Sequence, residues 1–121
     1  MTSMRKLDTI QKEHLLNHAY ATDTPDKSGA CHFYTVMDSE DKLIMGYIRF
    51  QQGVREGNLP VGLRDDDLLE IVRDRLKGFQ KGPFPCEENA KALACIEEAL
   101  GYLKTRTDSR FDRGVLGKET K

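Results

Sequence analysis

Two amphipathic stretches joined by a turn that cannot be helical constrain this chain more than any other feature. Leu68, Leu69, Val72, Leu76 and Phe79 recur at helical intervals, and so do Leu93, Ile96, Leu100 and Leu103. Between them lies Gly82-Pro83-Phe84-Pro85-Cys86. Gly82 and Pro83 stop the first helix, while Pro85 with Glu87 and Glu88 opens the second. Asp65, Asp66 and Asp67 mark the first helix's start, where carboxylates oppose the positive end of the helix dipole. The three-four-three spacing of the second stripe suits an antiparallel neighbour. Ala92, Ala99 and Gly101 leave room for close approach.

Upstream, residues 5–20 place Leu7, Ile10, His14 or Leu15, and His18 at helical intervals and read as an N-terminal helix. A loop follows, marked by Pro25 and Gly29. His32 to Met37 and Leu43 to Phe50 are rich in aromatic and β-branched residues, with Asp38 to Asp41 as the turn between them. They read as a two-stranded antiparallel hairpin, which needs a cover for its apolar face. Residues 51–62, QQGVREGNLPVG, form a long polar loop of the kind that often carries function. The expected fold is α+β in one domain, 1–121. Its parts are an N-terminal helix and loop (1–30), a β-hairpin and Gly-rich loop (31–62), and an antiparallel helix hairpin with a basic tail (63–121).

Charge narrows the function. The 121 residues carry a formal net charge of −1, unlike a duplex-binding domain with its basic face. Three scattered cysteines and no secretory signal fit free thiols in a reducing cytoplasm. No apolar run reaches the ~20 residues of a membrane span. His14 and His18 have helical ligand spacing but no third ligand, so no metal site or cofactor is expected. The chain has no nucleophile motif, no phosphate-binding Walker loop and no acid/base pair, so no catalytic residue is assigned.

The last 18 residues are different. From Lys104 to Lys121 there are six Lys/Arg and three Asp/Glu. Arg106, Arg110 and Arg113 form a ladder that runs into Gly114-Val115-Leu116-Gly117. A packed hairpin has no need of three such arginines. Guanidinium groups fork onto phosphates and stack on bases, which points to a small anionic nucleotide. Phe79, between Gly78 and Gly82, could stack on a base, or could be the last core residue of its helix. Asn89 could bond a base or ribose edge, or serve as a local cap. Arg106 and Arg110 share a helix face and could grip one phosphate, or pair with nearby carboxylates.

These residues also compose a recognisable pattern. Phe50-Gln51, Arg75-Leu76, Phe79-Gln80, Gly82-Pro83-Phe84, Cys86, Glu88-Asn89-Ala90, Glu97 to Leu100, Arg106-Thr107, Arg110 and Arg113 to Val115 cover slightly more than half the chain. The run resembles the helical-hairpin domain shared by phage Thoeris anti-defence and anti-CBASS sponge proteins. The resemblance implies a non-enzymatic sponge that binds glycocyclic ADP-ribose, the signal of Thoeris TIR enzymes, in the cytoplasm of the infected host. It also implies cyclic di- or trinucleotides at a second site, and a homo-oligomer, dimer or hexamer, with ligand held between subunits. By this resemblance Phe79 stacks on adenine and Asn89 holds the nucleotide edge. Arg106 and Arg110 bind pyrophosphate or the opposite base face, and Gln51, Gln52 and Arg55 complete the pocket. Arg113, Gly114 and Gly117 are the implied second site. The chain departs from the family at Gly53-Val54, where a proline more often follows the glycine, and at Glu87, commonly arginine. Leu116 also stands where the family carries a glutamate, which removes a charge beside the second site. A cyclic nucleotide hydrolase and a structural phage oligomerisation module are the alternatives.

Overall fold

The computed structural model describes residues 4–52, 62–112 and 114. The chain divides into two compact units, Met1–Gln52 and Gly53–Lys121.

The first unit is a four-stranded antiparallel sheet of strand order β1-β2-β3-β4, built from β1 (Arg5–Lys6), β2 (Asn17–Ala21), β3 (Phe33–Asp38) and β4 (Ile44–Arg49). This corrects the expected N-terminal helix over 5–20 and the two-stranded hairpin. The helical spacing there was coincidental. Ile10, needed for its apolar stripe, is 102% exposed, and Leu16 is exposed as well. His14 adopts φ 58°, a left-handed conformation no helix continues through. His14 and His18 therefore share no helix face. What governs the segment is pairing: Asn17 to Ala21 lies antiparallel to β3 along its whole length. Ala21 is 0% exposed and pairs with Tyr34 of β3. The register runs Arg5–Ala21–Tyr34–Ile48 and, one residue over, Lys6–Tyr20–Thr35–Tyr47. Two added strands give the hairpin the lateral support it lacks alone.

Local chemistry fixes the connections. In the β3–β4 turn Asp41 takes φ 58° and its amide donates to the Asp38 carbonyl at 3.0 Å. The Asp38 carboxylate accepts the amides of Lys42 and Leu43 at 2.7 and 3.2 Å. A bulge at Val36/Met37 lets Gly46 pair with Val36 and Ile44 with Met37, and Ile44 is exposed while Gly46 and Ile48 are half-buried. Tyr34 meets Phe50 edge-on, centroids 5.7 Å apart. The β2–β3 loop is held by carboxylates. Asp23 accepts the amides of His32 and Phe33 at 2.9 and 3.2 Å, and His32 Nε2 lies 2.7 Å from Asp26 Oδ2. Cys31 is buried beside it, its thiol donating to the Asp23 carbonyl at 3.4 Å.

The second unit holds α1 (Asp65–Lys81) and α2 (Glu87–Asp112). At the N-terminus of α1, Asp67 Oδ2 accepts the Arg64 amide at 2.8 Å, and the Asp67 amide donates to the Arg64 carbonyl at 3.1 Å. At its end the Gly82 amide donates to Phe79 O at 3.2 Å. Cys86 starts α2: its sulfur accepts the Asn89 amide at 3.4 Å, and its own amide donates to Gln80 Oε1 at 3.1 Å. Arg73 Nε donates to Glu97 Oε2 at 2.8 Å, and Arg64 reaches Thr107 Oγ1 at 3.2 Å. Both links span the antiparallel pair of helices.

The core of this unit is thin. No residue of α1 is buried, and Arg110 alone is buried in α2 among the described residues. Leu68, Leu76, Leu93, Ile96, Leu100 and Leu103 are half-buried, and Val72 and Phe79 are exposed. One helix–helix contact covers only part of each apolar stripe.

Candidate functional site

Phe79 sits in the last turn of α1 and is 48% exposed, so it does not end a sealed core. The Arg75 guanidinium lies over its ring, 5.3 Å from the centroid. Asn89 is half-buried in the first turn of α2. Hydrogen bonds through Gln80, Cys86 and Asn89 link the residue after Phe79 to the start of α2. Phe79 and Asn89 thus belong to one end of the hairpin, the tip.

Arg106 and Arg110 belong to the other. Arg106 is exposed and makes no ion pair among the described residues. Asp108, a candidate partner for it, pairs with Lys104 instead, and that contact raises the Lys104 pKa. Arg110 is only 8% exposed. Seventeen residues of helix separate Asn89 from Arg106, about 25 Å at 1.5 Å per residue. The hairpin brings Phe79 to Asn89 and Arg106 to Arg110, but it does not bring the two pairs together.

The remaining predicted residues fall elsewhere. Gln51 is half-buried and Gln52 exposed, both following β4 at the end of the sheet unit. Arg55 lies outside the described residues, as do Arg113 and Gly117. Gly114 takes φ 69°, and its amide donates to the Phe111 carbonyl at 3.0 Å. A positive φ suits glycine there, since a β-carbon would strain the turn.

Two arginines escaped the sequence reading. Arg64, at the open end, reaches Thr107 and stands 3.4 Å from Asp66 Oδ1. That oxygen is shut off from solvent without a hydrogen bond, so the contact is electrostatic. Nothing in the sequence separates Arg64 from an ordinary loop arginine. Arg75 over Phe79 was detectable, being four residues earlier on one helix.

A cleft of about 430 Å³ opens between α1 and α2, lined by Asp66, Glu70, Glu97 and Asp108 against Arg73 and Lys104. Among the described residues, none of the predicted site residues lines it. Its carboxylates outnumber its cations, which disfavours a phosphate-bearing ligand. Among the described residues no helix is long and apolar enough to cross a membrane, and no cluster of His, Cys, Asp or Glu could hold a metal ion.

The chain is similar to a Bacillus phage SBSphiJ7 protein named Thoeris anti-defense 1, with 40% identity over 87 residues. The alignment covers 72% of this chain and 60% of the relative, so the chain spans about three-fifths of that protein's length. The family model described as Acb2/Tad1, hairpin domain, matches residues 44–107. The match takes in Phe79, Asn89 and Arg106 and stops short of Arg110 and Gly114. Running from β4 through most of α2, it covers more than half of the sequence, and the chain belongs to the Acb2/Tad1 hairpin-domain family.

Proposed function

We propose that this protein serves phage anti-defence by binding and holding a cyclic nucleotide immune signal, glycocyclic ADP-ribose, without cleaving it. The observation that carries the reading is the half-exposed Phe79 ring at the hairpin tip, the same end of the hairpin that carries Asn89. An aromatic face offers stacking and a carboxamide offers an edge contact, which suits an adenine. The pyrophosphate needs cations: Arg106, exposed at the far end of α2, offers one, and Arg110, buried one helical turn on, is proposed to turn outward beside it when ligand binds.

A small ligand does not bridge about 25 Å of helix. Two copies arranged head to tail along their hairpins do bring the tip of one to the arginines of the other. The incompletely covered stripes of α1 and α2 favour such an assembly, a dimer or three dimers in a hexamer. A ligand walled by two subunits loses most of its surface to protein, as tight capture requires. Arg113, Gly114 and Gly117 are proposed as a second site for cyclic di- or trinucleotides, because glycine lets backbone amides approach phosphate. Such a protein works in the cytoplasm of the infected host, where the signal is made.

The test is to mix the protein with glycocyclic ADP-ribose, filter, and heat the retained protein. Ligand depleted from the filtrate and released intact supports capture. Release as ADP-ribose identifies a hydrolase. Ligand that stays in the filtrate sinks the glycocyclic reading.

A further inference from the structure

The two arginines in the middle of α1 are used differently. Arg73 is committed to carboxylates, 2.8 Å from Glu97 and 3.3 Å from Glu70. Arg75 is exposed and makes no ion pair among the described residues. It lies instead over the Phe79 ring, one helical turn on, at 5.3 Å. Side chains four apart on a helix face each other, so the stack is built into the backbone geometry.

We infer that Arg75 is a positioning residue of the nucleotide site: it lies on one face of Phe79 and presents the other to a purine. The inference rests on the reading of Phe79 as the stacking residue. A phenylalanine ring on an open surface samples several rotamers, and a ligand must fix one of them on binding. A guanidinium already on the ring removes part of that cost, because the ring plane is set beforehand. The same cation raises the local potential for a diphosphate attached to the base.

A similar pair provides the control. Arg49 lies over Phe33 at 5.8 Å in the sheet unit and is given no role in binding. Calorimetry with glycocyclic ADP-ribose on the full chain compares the wild type with Phe79→Ala, Arg75→Ala, Arg75→Lys and Arg49→Ala. The loss of ultraviolet absorbance per bound adenine reports stacking separately from affinity. Arg75→Ala is expected to weaken binding about tenfold and reduce the absorbance change, with an unaltered melting temperature because Arg75 is exposed. Arg75→Lys keeps the charge without the planar stack and recovers affinity only partly. Arg49→Ala leaves both readouts alone. If Phe79→Ala loses binding while Arg75→Ala keeps wild-type affinity, the Arg75 role is overturned and the site stands. Weaker affinity with full absorbance change also overturns it, since Arg75 then acts through charge alone. If the wild type takes up no ligand, or Phe79→Ala binds like the wild type, the site and this role fall together.

Discussion

Arg73 on α1 and Glu97 on α2 meet at 2.8 Å, a contact made across the antiparallel pairing that leaves Phe79 at one end of the hairpin and Arg106 at the other. The contact raises the pKa of Arg73, chiefly through the hydrogen bond to Glu97. Both side chains remain partly exposed, which limits its energetic value. Arg73→Gln is expected to lower the melting temperature only slightly, on the order of 1–2 °C. The charge-exchanged double variant Arg73→Glu with Glu97→Arg should recover part of the loss. A fall many times larger in the single variant would show that the pair organises more than register.

Separation of the two half-sites makes a complementation experiment decisive. Phe79→Ala and Arg106→Ala copies should each bind no ligand alone. In the proposed head-to-tail dimer, mixing and subunit exchange should give heterodimers in which one of the two sites keeps an intact tip and an intact arginine face. Random pairing restores about a quarter of the sites. Counting bound ligand per subunit checks it, and no recovery after verified exchange would place both residues in separate sites.

Ala21 offers the sharpest stability test, being 0% exposed. Ala21→Leu must displace neighbours in the sheet unit and should cost about 1–3 kcal/mol in urea unfolding. A neutral result would mean that the space around β2 is looser than the side-chain packing indicates.

Acid should act first on the β2–β3 loop. Hydrogen bonds from the Ser28 hydroxyl and amide, with a further contribution from His32, lower the Asp26 carboxyl from its ordinary 3.8 to about 2. The folded-state value lies below the unfolded one, so the contribution is present above the unfolded value and fades as pH falls from about 4 through about 2. Asp41 shifts the same way, mainly through His18. Asp26→Asn should therefore be less stable at neutral pH and show a flatter acid limb in melting temperature against pH. An unchanged acid limb would show that Asp26 is equally bonded in the unfolded chain.

The helices were readable because their signals reinforce one another. Asp67 at the start, Gly82 and Pro83 at the end and the leucine stripes all specify the same boundaries. The sheet was half readable. HFYTVM and LIMGYIRF carry strand composition, whereas Asn17 to Ala21 is short, contains two alanines and follows a fortuitous helical spacing through Leu7 and Ile10. Pairing with β3 decides its conformation, and a partner strand is invisible to local periodicity. The candidate site was legible as residue types and not as an arrangement. Phe79, Asn89 and Arg106 fall within the span shared with the family, yet only the direction of α2 shows that Arg106 lies at the far end of the hairpin from the other two.

The unsealed stripes of α1 and α2 alter which substitutions the hairpin tolerates. In a self-sufficient hairpin, inward positions are restrictive and outward positions permissive. Here Ile71, Val72 and Tyr102 are bulky and exposed. If a second copy covers them, a deep mutational scan selected for ligand capture should find them nearly as intolerant of charge as Leu100. The same scan selected only for solubility should favour polar replacements there. The divergence between the two maps would trace the outline of the missing neighbour residue by residue.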